Sequence, residues 1–233
     1  MKIDNISKSF LQTDKSYLQA LANISFEMKP GEITGLIGLN GAGKTTLIKI
    51  MAGLYKHDEG YLQIDLKKSL LSAGQGIYKN LKVCQLINYI GLLQNKTFDI
   101  NKYEIQELIH FLNLESFLDK KIETLSAGWK QKILILLTFF NDPELILLDE
   151  PSSFLDFHGQ KQLDELIYHS KHKGKYVLLT SHNLNEIEKK SDNILFLDKG
   201  KQVFFETKES ITNRLLGQSF ESFIYKYFDE EKR

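Results

Sequence analysis

One run of residues limits this chain more than any other: Gly38-Leu39-Asn40-Gly41-Ala42-Gly43-Lys44-Thr45-Thr46. It has the spacing G-x-x-x-x-G-K-[ST]. An apolar stretch over 33–37 precedes it and reads as a short buried strand. A helical pattern over 45–52 follows, and Gly53 would end it. Glycines in such a loop let backbone N–H groups converge on phosphate oxygens. The helix start adds its partial positive charge. Lys44 would reach the β and γ phosphates of a nucleotide, and the Thr45 hydroxyl would reach Mg²⁺. The competing reading is a glycine-rich turn with no ligand, and the strand before and helix after argue against it.

The rest of the chain reads as α/β. Ile3, Ile6 and Phe10 alternate as in a strand, and so do Leu21, Ile24, Phe26 and Met28, up to the turn signal Pro30-Gly31. From 83 to 140 the apolar spacing becomes helical, with a third helix starting near Ala127; this block is expected to be an inserted helical subdomain. Strands are expected at 145–148, 176–180, 194–197 and 202–205, with helices at 158–170 and 184–190. Strands alternating with helices predict a mostly parallel, covered sheet, here with an antiparallel β part at the N-terminus. The stretch from 60 to 83 is the least regular. The tail, 208–233, is expected to be short, helical and aromatic.

A second chemical signal sits where the apolar strand Leu145-Ile146-Leu147-Leu148 ends in Asp149-Glu150. Carboxylates at the carboxyl end of a parallel strand face the ligand crevice. Asp149 suits Mg²⁺, directly or through water, and Glu150 suits a general base for an attacking water. An ordinary acidic loop after a core strand would look the same without the glycine-rich loop upstream.

Composition narrows the classes. Lys plus Arg is 30 and Asp plus Glu is 30, so the net charge is zero and no nucleic-acid partner is expected. No run approaches the ~18 apolar residues of a membrane span, and Met1-Lys2-Ile3-Asp4 opens no apolar leader. The single Cys84 excludes an internal disulfide framework. Only Arg214 and Arg233 are arginines, so a phosphate site built from several guanidinium forks is excluded.

Together with these residues, three further motifs in order make the chain resemble the nucleotide-binding subunit of an ABC transporter, a P-loop ATPase. The signature position reads Leu125-Ser126-Ala127-Gly128-Trp129, the D-loop Ser153-Phe154-Leu155-Asp156, and the switch Ser181-His182. The resemblance covers nearly the whole chain and implies a single ABC ATPase domain over 1–233. It implies that ATP and Mg²⁺ are bound, with Gly38 to Thr46 on the phosphates and Thr45 and Asp149 on the metal. Glu150, His182 and Lys44 are the implied catalytic residues. Ser126, Gly128 and Asp156 would act across a dimer, on ATP held by a second ATPase subunit. Ala127 and Trp129 depart from the family's L-S-G-G-Q, and Trp129 could stack on ribose or simply pack. Taken alone, Ser126 and Asp156 also suit helix N-termini, as a cap and a first-turn acid.

The family stacks an aromatic ring on adenine near the N-terminus; Phe10 matches the usual place and Tyr17 is the alternative. It also carries a glutamine that couples Mg²⁺ to the membrane partner. The family's register lands on Ala73, and Gln75 is the nearby candidate. The implied partner is a separate integral membrane permease. The chain would then be cytoplasmic and peripheral on the inner membrane face, and the short tail resembles those of exporters. A nucleotide-switched regulatory module without transport is the alternative. A GTPase would want Asn-Lys-x-Asp, and Asn95-Lys96-Thr97-Phe98 lacks the Asp. A small-molecule kinase would want more arginines.

Overall fold

The structure is a computed structural model, and it describes residues 1–72, 78–94, 98–215 and 217–230. Among the described residues nine strands form one curled, mixed sheet in the order β4-β1-β2-β9-β8-β3-β7-β6-β5. Within it β3 (Ile33–Ile37) is parallel to β7 (Tyr176–Thr180) on one side and to β8 (Asn193–Asp198) on the other. Next to β7 lies β6 (Leu145–Asp149), and β5 (Lys68–Ser72) closes that edge, again in parallel.

Parallel strands with both faces covered must be apolar at every position, and all residues of β3 and β6 are buried. Their side chains alternate between two cores. Leu36, Leu147, Leu178 and Leu195 pack with Leu47, Ile48 and Met51 of α1 (Lys44–Met51). Ile33, Ile146, Val177 and Phe196 pack with Leu163 and Ile167 of the helix on the other face, α5 (Phe157–His172). Each such fully buried side chain stabilises the fold by about 1.5–3 kcal/mol before entropy is set against it.

The N-terminal part is antiparallel. Here β1 (Lys2–Leu11) pairs with β2 (Tyr17–Glu27) and with β4 (Glu59–Leu62). It joins the main sheet where β2 meets β9 (Lys201–Thr207) at Ala22 and Lys201. Between β5 and β6 the chain forms α2 (Val83–Gln94), α3 (Tyr103–Phe111) and α4 (Ala127–Phe139). The buried apolar residues of these helices belong to the same core as Ile33 and Ile146. After β6 come α5 (Phe157–His172) and α6 (Leu184–Lys190). Two helices, α7 (Lys208–Arg214) and α8 (Phe220–Glu230), end the described chain. On α8, Phe223 and Tyr227 pack on Phe204, with centroids 6.4 Å and 5.8 Å from its ring.

Among its described residues, the stretch from 60 to 83, irregular by pattern, carries β5 and most of β4. The residues of β4 are mostly exposed, so the strand exists through pairing with β1 and not through hydrophobic alternation. At the other edge, β5 buries only Leu71 and Ser72 fully and takes its register from β6. Neither strand has a period that sequence reading can find.

Candidate functional site

Because β3, β5, β6 and β7 run parallel, their carboxyl ends meet at one sheet edge. There the loop after β3, the acids at the end of β6 and the segment after β7 line a cleft of about 490 Å³. The cleft is walled by the loop from Leu39 to Thr46 and by Asp149, Glu150 and His182, and Phe10, Leu18 and Ser72 also line it. Tyr17 is not part of its wall; that ring is exposed. Phe10 meets Tyr55 edge-on at 5.5 Å.

The loop conformation needs its glycines. Gly43 has φ of 100°, and a Cβ there would lie 2.6 Å from the carbonyl of Ala20 and 2.7 Å from Leu21. So β2 presses directly on the loop, and no side chain fits between them. Helix α1 then starts with no side-chain cap, which leaves its first N–H groups for an anion. The Lys44 ammonium donates to the carbonyls of Gly38 at 2.6 Å and Leu39 at 3.2 Å. Burial pushes it below the ordinary lysine value, against the opposing pull of Glu150 and Asp149.

Asp149 gathers three hydroxyls. Thr45 donates to its Oδ2 at 3.1 Å, Ser72 to the same oxygen at 3.4 Å, and Thr180 to Oδ1 at 2.9 Å. Thr180 also accepts the backbone N–H of Glu150 at 2.9 Å, which ties the end of β6 to the end of β7. This all-oxygen cluster around one carboxylate suits a small hard cation that also binds phosphate oxygens.

Glu150 sits at φ 55°, in the left-handed region, at the turn out of β6. Its Oε2 accepts the backbone N–H of His182 at 3.1 Å, and its Oε1 lies 3.4 Å from His182 Nε2. That Oε1 is buried and has no hydrogen-bond partner among the described residues. Burial raises the Glu150 carboxyl above the ordinary range, and His182 and Lys44 only partly offset it. A carboxylate so placed can accept a proton from a water in the cleft.

Ser126, Gly128 and Asp156 do not border this cleft. The Ser126 hydroxyl caps α4, accepting from Trp129 N–H at 3.4 Å, and Asp156 caps α5, accepting from Gly159 N–H at 2.7 Å. A Cβ on Gly128 would stand 2.9 Å from the Phe154 carbonyl, so the signature segment and the D-loop touch within the chain. The Trp129 ring packs on Phe117 at 3.9 Å. Gln75 lies outside the described residues, as do Ala73 and the run 95–97. Sequence reading missed Ser72 and Thr180. Thr180 was legible as the last residue of an apolar strand beside Ser181-His182. Ser72 carried no signal.

A glycine-rich loop ahead of a lysine, two acids and a histidine meet at the carboxyl ends of the parallel strands, in the cleft described above. A family model described as ABC transporter matches residues 21–153. The chain is 34% identical over 215 residues to an uncharacterised ABC transporter ATP-binding protein of Methanocaldococcus jannaschii, covering 92% of this chain and 80% of that one. It is 36% identical over 197 residues to the zinc import ATP-binding protein ZnuC of Rickettsia conorii, covering 83% and 81%. A solved ATP-binding subunit of an ABC transporter superposes with a TM-score of 0.87 at 25% identity, covering 97% of this chain and 98% of that one. The chain belongs to the ABC transporter family, as its ATPase subunit.

Proposed function

We propose that this subunit hydrolyses ATP with Mg²⁺ in a dimer that closes around the nucleotide, and that the closure drives a separate transmembrane permease, in the export direction. The observation that carries the reading is the convergence of Lys44, Thr45, Asp149, Glu150 and His182 on one cleft. Lys44 and the backbone amides of 38–46 hold the phosphate chain. Thr45 and Asp149 hold Mg²⁺, which would supply charge neutralisation on the phosphates. Glu150 takes the proton of the attacking water, and His182 keeps that carboxylate oriented. Phe10 carries the base. Ser126 and Gly128 act on ATP held by the second subunit, where a capped helix start faces the γ-phosphate. Asp156 acts from the D-loop toward that subunit.

Among the described residues no helix is long and apolar enough to cross a membrane, so a spanning partner supplies the path. Gln75 remains the proposed link between Mg²⁺ and that partner. The chain works as one domain in which the helical block 83–140 moves against the sheet, with the tail 208–233 as an accessory. Export rests on relatives such as the Nod factor export ATP-binding protein I of Rhizobium etli, 28% identical over 225 residues. The test is purification from native membranes together with an integral membrane protein that co-elutes with this chain. ATP turnover stimulated by that protein in vesicles supports the reading. Turnover indifferent to any membrane protein sinks the transport part.

A further inference from the structure

Behind the catalytic pair lies a buried carboxylate that neither the motifs nor the mechanism uses. Glu186, on α6, has 12% of its side chain exposed, and Lys190, one turn on, has 9%. The Ser181 hydroxyl donates to Glu186 Oε2 at 2.6 Å. The Ser152 hydroxyl donates to Glu186 Oε1, and Lys190 Nζ donates to the same oxygen at 2.5 Å. Lys190 also pairs with Asp164 of α5. Burial alone would raise the Glu186 carboxyl. The bonds from Lys190, Ser152 and Ser181 outweigh it, and the group is held below the ordinary range.

The two serines are what make this network more than a buried ion pair. Ser181 directly precedes His182, and Ser152 lies two residues after Glu150, in the turn that leads to the D-loop. One carboxylate therefore grips both loops that carry the Glu150–His182 contact. A carboxylate accepting from two hydroxyls and an ammonium is fixed in rotamer, and both loops take their position from it.

We propose that Glu186 is a positioning residue for hydrolysis, clamping the loops after β6 and β7 so that His182 stays against Glu150; this rests on the reading of those two residues as the hydrolytic pair. The clamp also joins the D-loop turn to the switch histidine, so a partner subunit that shifts one shifts the other.

The experiment uses the full chain with Ser181→Ala, Ser152→Ala and Glu186→Gln. The serine changes remove one hydroxyl each and leave the Glu186–Lys190–Asp164 pairing in place, so they test the clamp even if Glu186→Gln folds poorly. Two readouts are taken. In ATP turnover each serine change should lower kcat by about 10-fold, with nucleotide affinity nearly unchanged. In the Glu186→Gln background neither serine change should add its full effect. In NMR of the resting protein, the His182 ring resonance, assigned with His182→Asn, should move in all three variants. A His182 resonance that stays in place in all three overturns the proposal, whatever turnover does. If the unmodified protein does not hydrolyse ATP, the reading of the site as hydrolytic falls, and the resonance still decides the clamp.

Discussion

Glu150 and His182, which close two different strands, face each other across the mouth of the cleft: one carboxylate oxygen takes the histidine's backbone N–H at 3.1 Å and the other stands 3.4 Å from its ring nitrogen. The first contact is indifferent to the side chain at 182 and the second depends on it. Backbone geometry thus sets the carboxylate, and the ring adjusts it.

Glu150→Gln keeps the shape of the site and removes the proton acceptor. ATP binding should persist while turnover falls by about 100-fold or more. The ATP-bound dimer should outlive that of the unmodified protein. Turnover assays and sizing in ATP check both, and near-normal turnover removes Glu150 from the role of base.

The same substitution has a pH signature in stability. Burial, ahead of the repulsion from Asp149, raises the folded Glu150 carboxyl above its unfolded value. Between the two values the native state holds a proton that the unfolded chain has released, so the group's contribution to stability falls as pH rises through that window. Glu150→Gln removes this penalty. Without nucleotide, the variant should melt higher at pH 7–8 by roughly 1–3 °C, and the gap should close below about pH 4. Thermal scans across that range would read it, and a gap that persists or widens at low pH contradicts the assignment.

Lys44→Ala and Ser126→Arg separate action in the chain's own site from action across the dimer. Lys44 lies in the cleft and Ser126 does not. The first change should abolish nucleotide affinity. The second should leave binding to the monomer intact and stop the ATP-driven dimer, as sedimentation would show. Lost monomer binding in Ser126→Arg would end the cross-dimer role.

For the base, Phe10 and Tyr17 make different predictions. Phe10 borders the cleft and Tyr17 is exposed away from it. Phe10→Ala should weaken ATP binding by about 5- to 100-fold, the range for loss of a stacked base. Tyr17→Ala should change it little. Titration with a fluorescent nucleotide distinguishes the two, and a larger loss from Tyr17→Ala reverses the choice.

Much of this protein was legible because its chemistry is local. The glycine-rich loop carries its own conformational demands: a positive φ at Gly43 that few other residues accept, and a lysine one position later at the start of α1. The apolar run 145–148 announces a strand buried on both faces, so the acids after it must lie at a sheet edge. Resemblance of the ordered motifs then pointed to Ser126, Asp156 and His182, of which the structure brings His182 to the cleft. The strands β4 and β5 were not legible, because pairing with β1 and β6 makes them strands, and pairing leaves no period in an exposed edge sequence.

The sequence by itself determined the chemistry of the phosphate loop, the α/β order and the residues on offer as acid, base and cap. Tertiary structure decided which of them meet. Ser72 reaches Asp149 only because β5 docks in register beside β6, and Thr180 ties two strand ends only because β6 and β7 run parallel. Glu186 grips Ser152 and Ser181 from 34 and 5 residues away. The pairing with Ser152 leaves no spacing to read, since a buried carboxylate also takes donors that the packed fold brings to it from elsewhere in the chain.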